Sequence, residues 1–192
     1  MAKYELDYEI LEKEPKQGKS GFEELFEWTE TLLFAFFIVI LIFTFILRIA
    51  NVDGESMLPT LENGDRLIIS HIGYSPAHGD IVIVDSQGLG KVIVKRVIAV
   101  EGQQIDINFG NGAVMVDGRE LQEDYINALT MLGADVRDYP VTIPSGHVFV
   151  MGDNRMNSTD SRSEEVGFVP EEDVLGKVVL RIFPFNALGV PA

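Results

Sequence analysis

Residues 91–100 read Lys91-Val92-Ile93-Val94-Lys95-Arg96-Val97-Ile98-Ala99-Val100. The run is rich in β-branched side chains, which suit a pleated strand better than a helix. Alternation puts Ile93, Lys95, Val97 and Ala99 on one face and Val94, Ile98 and Val100 on the other. Both faces are apolar, so the strand is predicted to be buried on both sides with a lysine inside it. A lysine among apolar groups loses the hydration of its charged form, its pKa falls, and the neutral amine becomes available as a base. Two alternatives stay open on the pattern alone: Lys95 snorkels to the surface, or it pairs with a carboxylate such as Asp80. Arg96 beside it needs an acid partner of its own.

Outward from this strand the chain continues in the same idiom. Asp65–Ser70, Asp80–Val84, Gln104–Phe109, Ala113–Val116, His147–Met151 and Leu175–Phe183 all read as strands bounded by Gly, Pro or Asp. Gly110-Asn111-Gly112 and Asp117-Gly118 supply the positive-φ residues of tight hairpins, which makes the sheet antiparallel there. The fold class is therefore mainly β, an antiparallel body from residue 49 to 192. Residues 102 to 145, more polar and loop-rich than their flanks, read as a smaller β lobe inserted into it.

Before the body comes one long apolar run. Thr31 to Leu47 carries no charge and is bounded by Trp28 and Arg48, giving the ~20 residues and interfacial aromatic of a spanning helix. One N-terminal transmembrane helix is expected over 28–48, after an acidic tail at 1–27 broken by Pro15, Gly18 and Gly21. A cleaved leader would be short and basic, and no small-x-small pattern closes this run. Lys3, Lys13, Lys16 and Lys19 precede the run, against Arg48 and Arg66 beyond it. That bias puts the N-terminus in the cytoplasm and the body outside, in a single-pass protein of the cell membrane.

Thirty acidic against fifteen basic residues, a net charge of −15, leave no basic stripe for phosphates, so nucleic acid is not an expected partner. The absence of cysteine excludes disulfides and decides nothing about compartment.

Just past the apolar run lies Asp53-Gly54-Glu55-Ser56-Met57-Leu58-Pro59-Thr60, a serine on a stretch whose glycine and proline impose a bend. A serine hydroxyl is a poor nucleophile until a positioned base takes its proton. His71, His78 and His147 read as surface or turn residues without an orienting acid. No His-Glu-x-x-His, cysteine pair or dense carboxylate cluster appears, so neither a metal nor another cofactor is expected. Lys95 is the base with a physical rationale. Residues 151–162, Met-Gly-Asp-Asn-Arg-Met-Asn-Ser-Thr-Asp-Ser-Arg, mix hydroxyls, amides and opposed charges. They form either a solvated loop or a self-bonded one whose side chains hold fixed directions.

Four blocks in this order carry a resemblance: Gly-Glu-Ser-Met-Leu-Pro-Thr-Leu at 54–61, Gly-Asp-Ile-Val-Ile-Val at 79–84, Lys-Arg-Val-Ile-Ala-Val-Glu-Gly at 95–102 and Gly-Asp-Asn-Arg-Met-Asn-Ser-Thr-Asp-Ser-Arg at 152–162. Gly-Phe-Val-Pro at 167–170 and Phe-Pro-Phe-Asn at 183–186 extend it. The chain resembles bacterial signal peptidase I in its single-anchor, Gram-positive-like form. The resemblance implies a serine endopeptidase that removes signal peptides from exported preproteins after a small-x-small motif, with the bilayer as its second partner. It implies Ser56 as nucleophile, Lys95 as general base and Ser158 as an orienting partner of the amine. Asp153, Arg155, Asp160 and Arg162 would hold the site loop through ion pairs, and Met57 and Pro59 would shape the nucleophile turn and substrate pocket.

Two positions depart from the family pattern. Gly54 stands where some relatives have a serine that helps bind the oxyanion, which leaves the second oxyanion donor unassigned. Ala99-Val100-Glu101-Gly102-Gln103 replaces the usual Gly-x-Pro-Gly-Asp. Two rival readings are a self-cleaving Ser/Lys regulator related to SOS repressors, which the anchor and the lack of a DNA-binding helix pair disfavour, and a non-catalytic tethered β-domain, which would not need both Ser56 and Lys95.

Overall fold

The computed structural model describes residues 21–45, 47–131 and 138–191. Contacts divide the chain into two units, residues 1–40 and 41–192. The tail expected at 1–27 lies outside the described residues up to residue 20, as do residues 132–137 of the expected lobe.

Helix α1 runs Gly21–Phe45. It begins inside the stretch expected to be an irregular tail; Glu24 and Glu27 in its first turns complement the positive end of the helix dipole. Thr29 and Thr31 return their hydroxyls to the carbonyls of Phe26 and Glu27 at 2.8 Å, so neither needs a partner elsewhere. Among the described residues, no helix is long and apolar enough to cross a membrane.

Strand β1, Leu47–Asn51, takes in Leu47 and Arg48, the last two residues of the helix expected over 28–48. Its backbone pairs instead with β2, Arg66–Ser70, in the register Leu47↔Ser70 to Asn51↔Arg66. The other strands of the main sheet are β3 (Ile81–Ser86), β4 (Lys91–Val100), β9 (His147–Met151), β10 (Val169–Pro170) and β11 (Val174–Phe183). Their order is β1-β2-β11-β3-β4-β9-β10, and every pairing is antiparallel. Pro170 sits on the edge strand, where a missing N–H costs no ladder bond.

Between β4 and β9 a second antiparallel sheet is inserted. It comprises β5 (Gln104–Asn108), β6 (Ala113–Val116), β7 (Arg119–Glu120) and β8 (Val141–Thr142) in the order β7-β6-β5-β8. The turn into it is sound despite the unusual residues at 99–103: Gly102 takes φ 76°, which glycine adopts without strain, and Gln103 N–H closes on the Val100 carbonyl at 3.1 Å.

Strand β4 sits in the middle of the sheet with β3 on one side and β9 on the other. The register shifts between Val97 and Ala99, so Ala99 leaves the face expected to hold it with Ile93 and Val97, and the strand enters different cores on the two sides of that shift. Ile98 and Ala99 pack with Ile105, Ile107, Val114 and Phe149 toward the inserted sheet, whereas Ile93 and Val97 pack with Val82, Val84, Val148 and Val150. A third cluster, Val52, Met57, Leu61, Leu67, Ile69, Ile81, Ile83 and Val178, lies under the β1–β2 connection. That connection carries Ser56, and the β9–β10 connection carries the polar loop, so the sheet brings both to β4.

Candidate active site

The β1–β2 connection is closed at its base, where Val52 N–H reaches the Asp65 carbonyl at 2.9 Å and Gly64 N–H reaches Val52 at 2.9 Å. Burial of Met57 and Leu61 in the cluster below fixes the loop from inside. Arg181 holds it from β11, with one guanidinium nitrogen donating to the Thr60 carbonyl at 3.1 Å and to Asp65 Oδ2 at 3.0 Å. Gly54 takes φ 99°, a conformation that would strain a serine at that position. Its N–H donates to Asn63 Oδ1 at 2.9 Å, so that donor is engaged within the loop.

On β4, Lys95 is 3% exposed. Its Nζ lies 2.7 Å from Ser56 Oγ and donates to the Val94 carbonyl at 2.9 Å. Burial drives its pKa down, opposed by the Asp160 carboxylate and assisted by the Lys91 ammonium, to about 8. The two alternatives for Lys95 are thereby resolved: it neither reaches the surface nor meets Asp80, which binds Lys177 at 2.5 Å and Tyr74 at 2.7 Å.

Ser56 and Lys95 open into a cavity of about 520 Å³ between residues 50–57 on one wall and 91–95 on another, with 156–159 completing it. Ser158 lines this cavity. Its buried Oγ has no partner at hydrogen-bond geometry among the described residues, and no bond joins it to Lys95. It lies close enough to Asp160 to favour that carboxylate's charged form. Met57 lines the cavity, while Pro59, after a cis peptide bond, is exposed and shapes the turn from outside. From Lys91 to Lys95, β4 pairs with β3 only, because β9 begins its ladder at Arg96↔Met151. An unpaired strand edge therefore runs beside the serine.

A family model described as signal peptidase, peptidase S26 matches residues 25–183. The chain belongs to that family. It is 39% identical over 170 residues to a probable signal peptidase I-1 of Synechocystis sp., covering 82% of each chain. Against the signal peptidase I of Leptolyngbya laminosa the identity is 34% over 176 residues, 86% of this chain and 83% of that one. Against signal peptidase I T of Bacillus subtilis it is 32% over 183 residues, 90% and 93%. A crystal structure of a signal peptidase I from Enterococcus faecalis V583, 27% identical, superposes with a TM-score of 0.45 over 54% of this chain and 97% of that one.

The polar loop of this signal peptidase family member is self-bonded, and its charges pair differently from the simplest reading of the sequence. Arg162 meets Asp160 through two nitrogens at 2.8 and 2.9 Å, both side chains buried. Burial alone would raise the Asp160 pKa; the Arg162 guanidinium and the Gly152 N–H at 2.9 Å outweigh it and hold the carboxyl below its ordinary value. Asp153 pairs with Arg96 rather than within the loop, at 2.8 and 2.7 Å, and accepts the Thr60 hydroxyl at 2.5 Å. Arg155 pairs with Glu123 at 2.5 and 3.0 Å and takes Thr130 Oγ1 at 2.9 Å. Tyr125 stacks on Arg96, whose guanidinium carbon is 4.0 Å from the ring centroid.

Glu123, Tyr125, Thr130, Thr60 and Asn154, whose backbone N–H donates to the Ser56 carbonyl at 3.0 Å, thus contribute to the site without having been singled out in the sequence. Only Thr60 and Asn154, inside the family blocks, carried any signal.

Proposed function

We propose that this signal peptidase cleaves exported preproteins through a Ser56 nucleophile and a Lys95 general base. The observation that carries the proposal is the 2.7 Å approach of Lys95 Nζ to Ser56 Oγ on a lysine whose burial lowers its pKa to about 8. Neutral Lys95 accepts the Ser56 proton as Oγ attacks the scissile carbonyl. The ammonium so formed passes that proton to the leaving amine, and an ester forms on Ser56. A water deprotonated by Lys95 then attacks the ester carbonyl, and Ser56 regains its proton.

Negative charge develops on the carbonyl oxygen during both attacks, and the Ser56 backbone N–H is the donor in place for it. The substrate lies extended along the unpaired edge of Lys91–Lys95, as a strand added to the sheet. Ile83, Val52 and Met57 line the cavity there, and shallow apolar pockets of that kind favour small residues either side of one variable position. The apolar run from residue 28 up to the start of β1 serves as the single anchor, with the N-terminus cytoplasmic and the β body from Leu47 onward outside. Enzyme and signal peptide then share one bilayer, which raises their effective concentration.

The test is incubation of detergent-solubilised full-length protein with a preprotein carrying a signal peptide. Wild type releases the mature protein after a small-x-small motif, while Ser56→Ala and Lys95→Ala release none. Substantial release by either variant overturns the assignment of that residue.

A further inference from the structure

The loop containing Asn154 touches the nucleophile turn at consecutive carbonyls. Asn154 N–H donates to the Ser56 carbonyl at 3.0 Å, and Asn154 Nδ2 donates to the Glu55 carbonyl at 3.0 Å. The peptide unit joining those residues contains the Ser56 N–H, for which no partner occurs among the described residues. Two carbonyls flanking one N–H are therefore held by one buried side chain and its own backbone. With both carbonyls fixed, rotation of the intervening peptide plane is restricted and the direction of that N–H is set.

The amide of Asn154 has one orientation that fits. Asn127 Nδ2 donates to Asn154 Oδ1 at 3.3 Å. A flipped amide would turn Oδ1 toward the Glu55 carbonyl and Nδ2 toward Asn127 Nδ2, putting acceptor against acceptor and donor against donor. Asn127 belongs to the segment between β7 and β8, whose Glu123 and Thr130 hold Arg155, the next residue in the loop. The inserted lobe thus reaches the nucleophile turn through Asn154.

We propose that Asn154 is a positioning residue for acyl transfer, aiming the Ser56 N–H at the developing oxyanion while Asn127 of the inserted lobe fixes its amide. The proposal rests on Ser56 being the nucleophile. It also gives Gly54 a consequence: with no side-chain hydroxyl at that position, the Ser56 N–H carries the oxyanion and its alignment governs the rate. Asn154 makes no hydrogen bond to Lys95 and does not itself line the cavity, reaching it only from behind through the Glu55 and Ser56 carbonyls, so its loss acts on the transition state, leaving substrate binding and the lysine's proton alone.

The experiment measures kcat and KM for a signal-peptide substrate across pH, with melting temperatures, for full-length wild type, Ser56→Ala, Asn154→Ala and Asn127→Ala. Asn154→Ala is expected to lose about ten- to a hundredfold in kcat, with KM and the pH midpoint unchanged. Asn127→Ala keeps both bonds to the turn and is expected to lose about two- to fivefold in kcat, the scale of one modest hydrogen bond. A folded Asn154→Ala with wild-type kcat, a loss residing in KM, or a shifted pH midpoint overturns the proposal. If Asn154→Ala does not fold, Asn127→Ala decides, and an unchanged kcat there is fatal. An inactive Ser56→Ala beside an unimpaired Asn154→Ala removes this inference alone, whereas an active Ser56→Ala removes the nucleophile itself.

Discussion

Asp153 grips Arg96 with both carboxylate oxygens, at 2.8 and 2.7 Å, in a pair whose side chains are 0% and 4% exposed. Arg96 follows Lys95 on β4, so the ion pair locks the polar loop to the strand one residue from the amine. The same carboxylate accepts the Thr60 hydroxyl from the nucleophile turn, joining three segments at one point.

Removing this carboxylate takes the bidentate Asp153 contact away from a buried guanidinium. Asp153→Ala is expected to lower stability by about 3–5 kcal/mol and, where folded protein remains, to lower kcat because Thr60 loses its anchor. Chemical denaturation read by tryptophan-independent circular dichroism measures the first effect, and a loss below about 1 kcal/mol would contradict the pair's importance.

Lys95 costs the fold stability that the reaction uses. Burial holds its folded pKa at about 8, below the ordinary value of 10.5. Below both values the lysine is charged in either state and the folded protein bears the full penalty. Between them the unfolded chain binds more protons, so stability rises with pH across that window. Lys95→Met, similar in length and apolar, is expected to be more stable than wild type at neutral pH by up to roughly 3 kcal/mol. The advantage should shrink toward alkaline pH, as read from melting temperatures across the range. A destabilised variant whose deficit is independent of pH would show that the amine stabilises the fold.

Gly152 passes where no side chain fits. A methyl group there would overlap the Ser56 carbonyl oxygen and Ser158 Oγ, so the loop can approach the nucleophile only through glycine. Gly152→Ala is expected to cost about 1–3 kcal/mol of stability and at least about tenfold in kcat by displacing the turn. Steady-state kinetics beside a melting curve checks both, and wild-type kcat would mean the turn tolerates the shift.

Much of this was legible in local pattern. Residues 91–100 declared a strand because alternation and β-branching both report on one segment; the expected burial on both faces holds from Ile93 on, with Lys95 inside at 3% exposure, but not at Lys91 and Val92, which are exposed. Leu47 and Arg48, expected at the end of the helix, belong to β1 instead, because an apolar run does not reveal whether its last residues will find a strand partner, here in Arg66–Ser70. The partners of Arg96 and Arg155 were equally hidden. Asp153 and Glu123 are selected by the crossing of distant segments, and any of thirty carboxylates would have matched by composition. Ser158 lines the same cavity as Ser56 and Lys95, but the amine bonds Ser56 and the Val94 carbonyl instead, a choice of partner that no sequence pattern encodes.

The account turns on a lysine that loses its proton near neutrality to activate Ser56. The pH dependence of kcat/KM for a signal-peptide substrate reports the ionisation of the free enzyme most directly. A single rising limb with its midpoint near 8, where burial puts Lys95, is the predicted result. A profile flat from about pH 6 to about pH 10, across the range in which a depressed lysine must titrate, would contradict it.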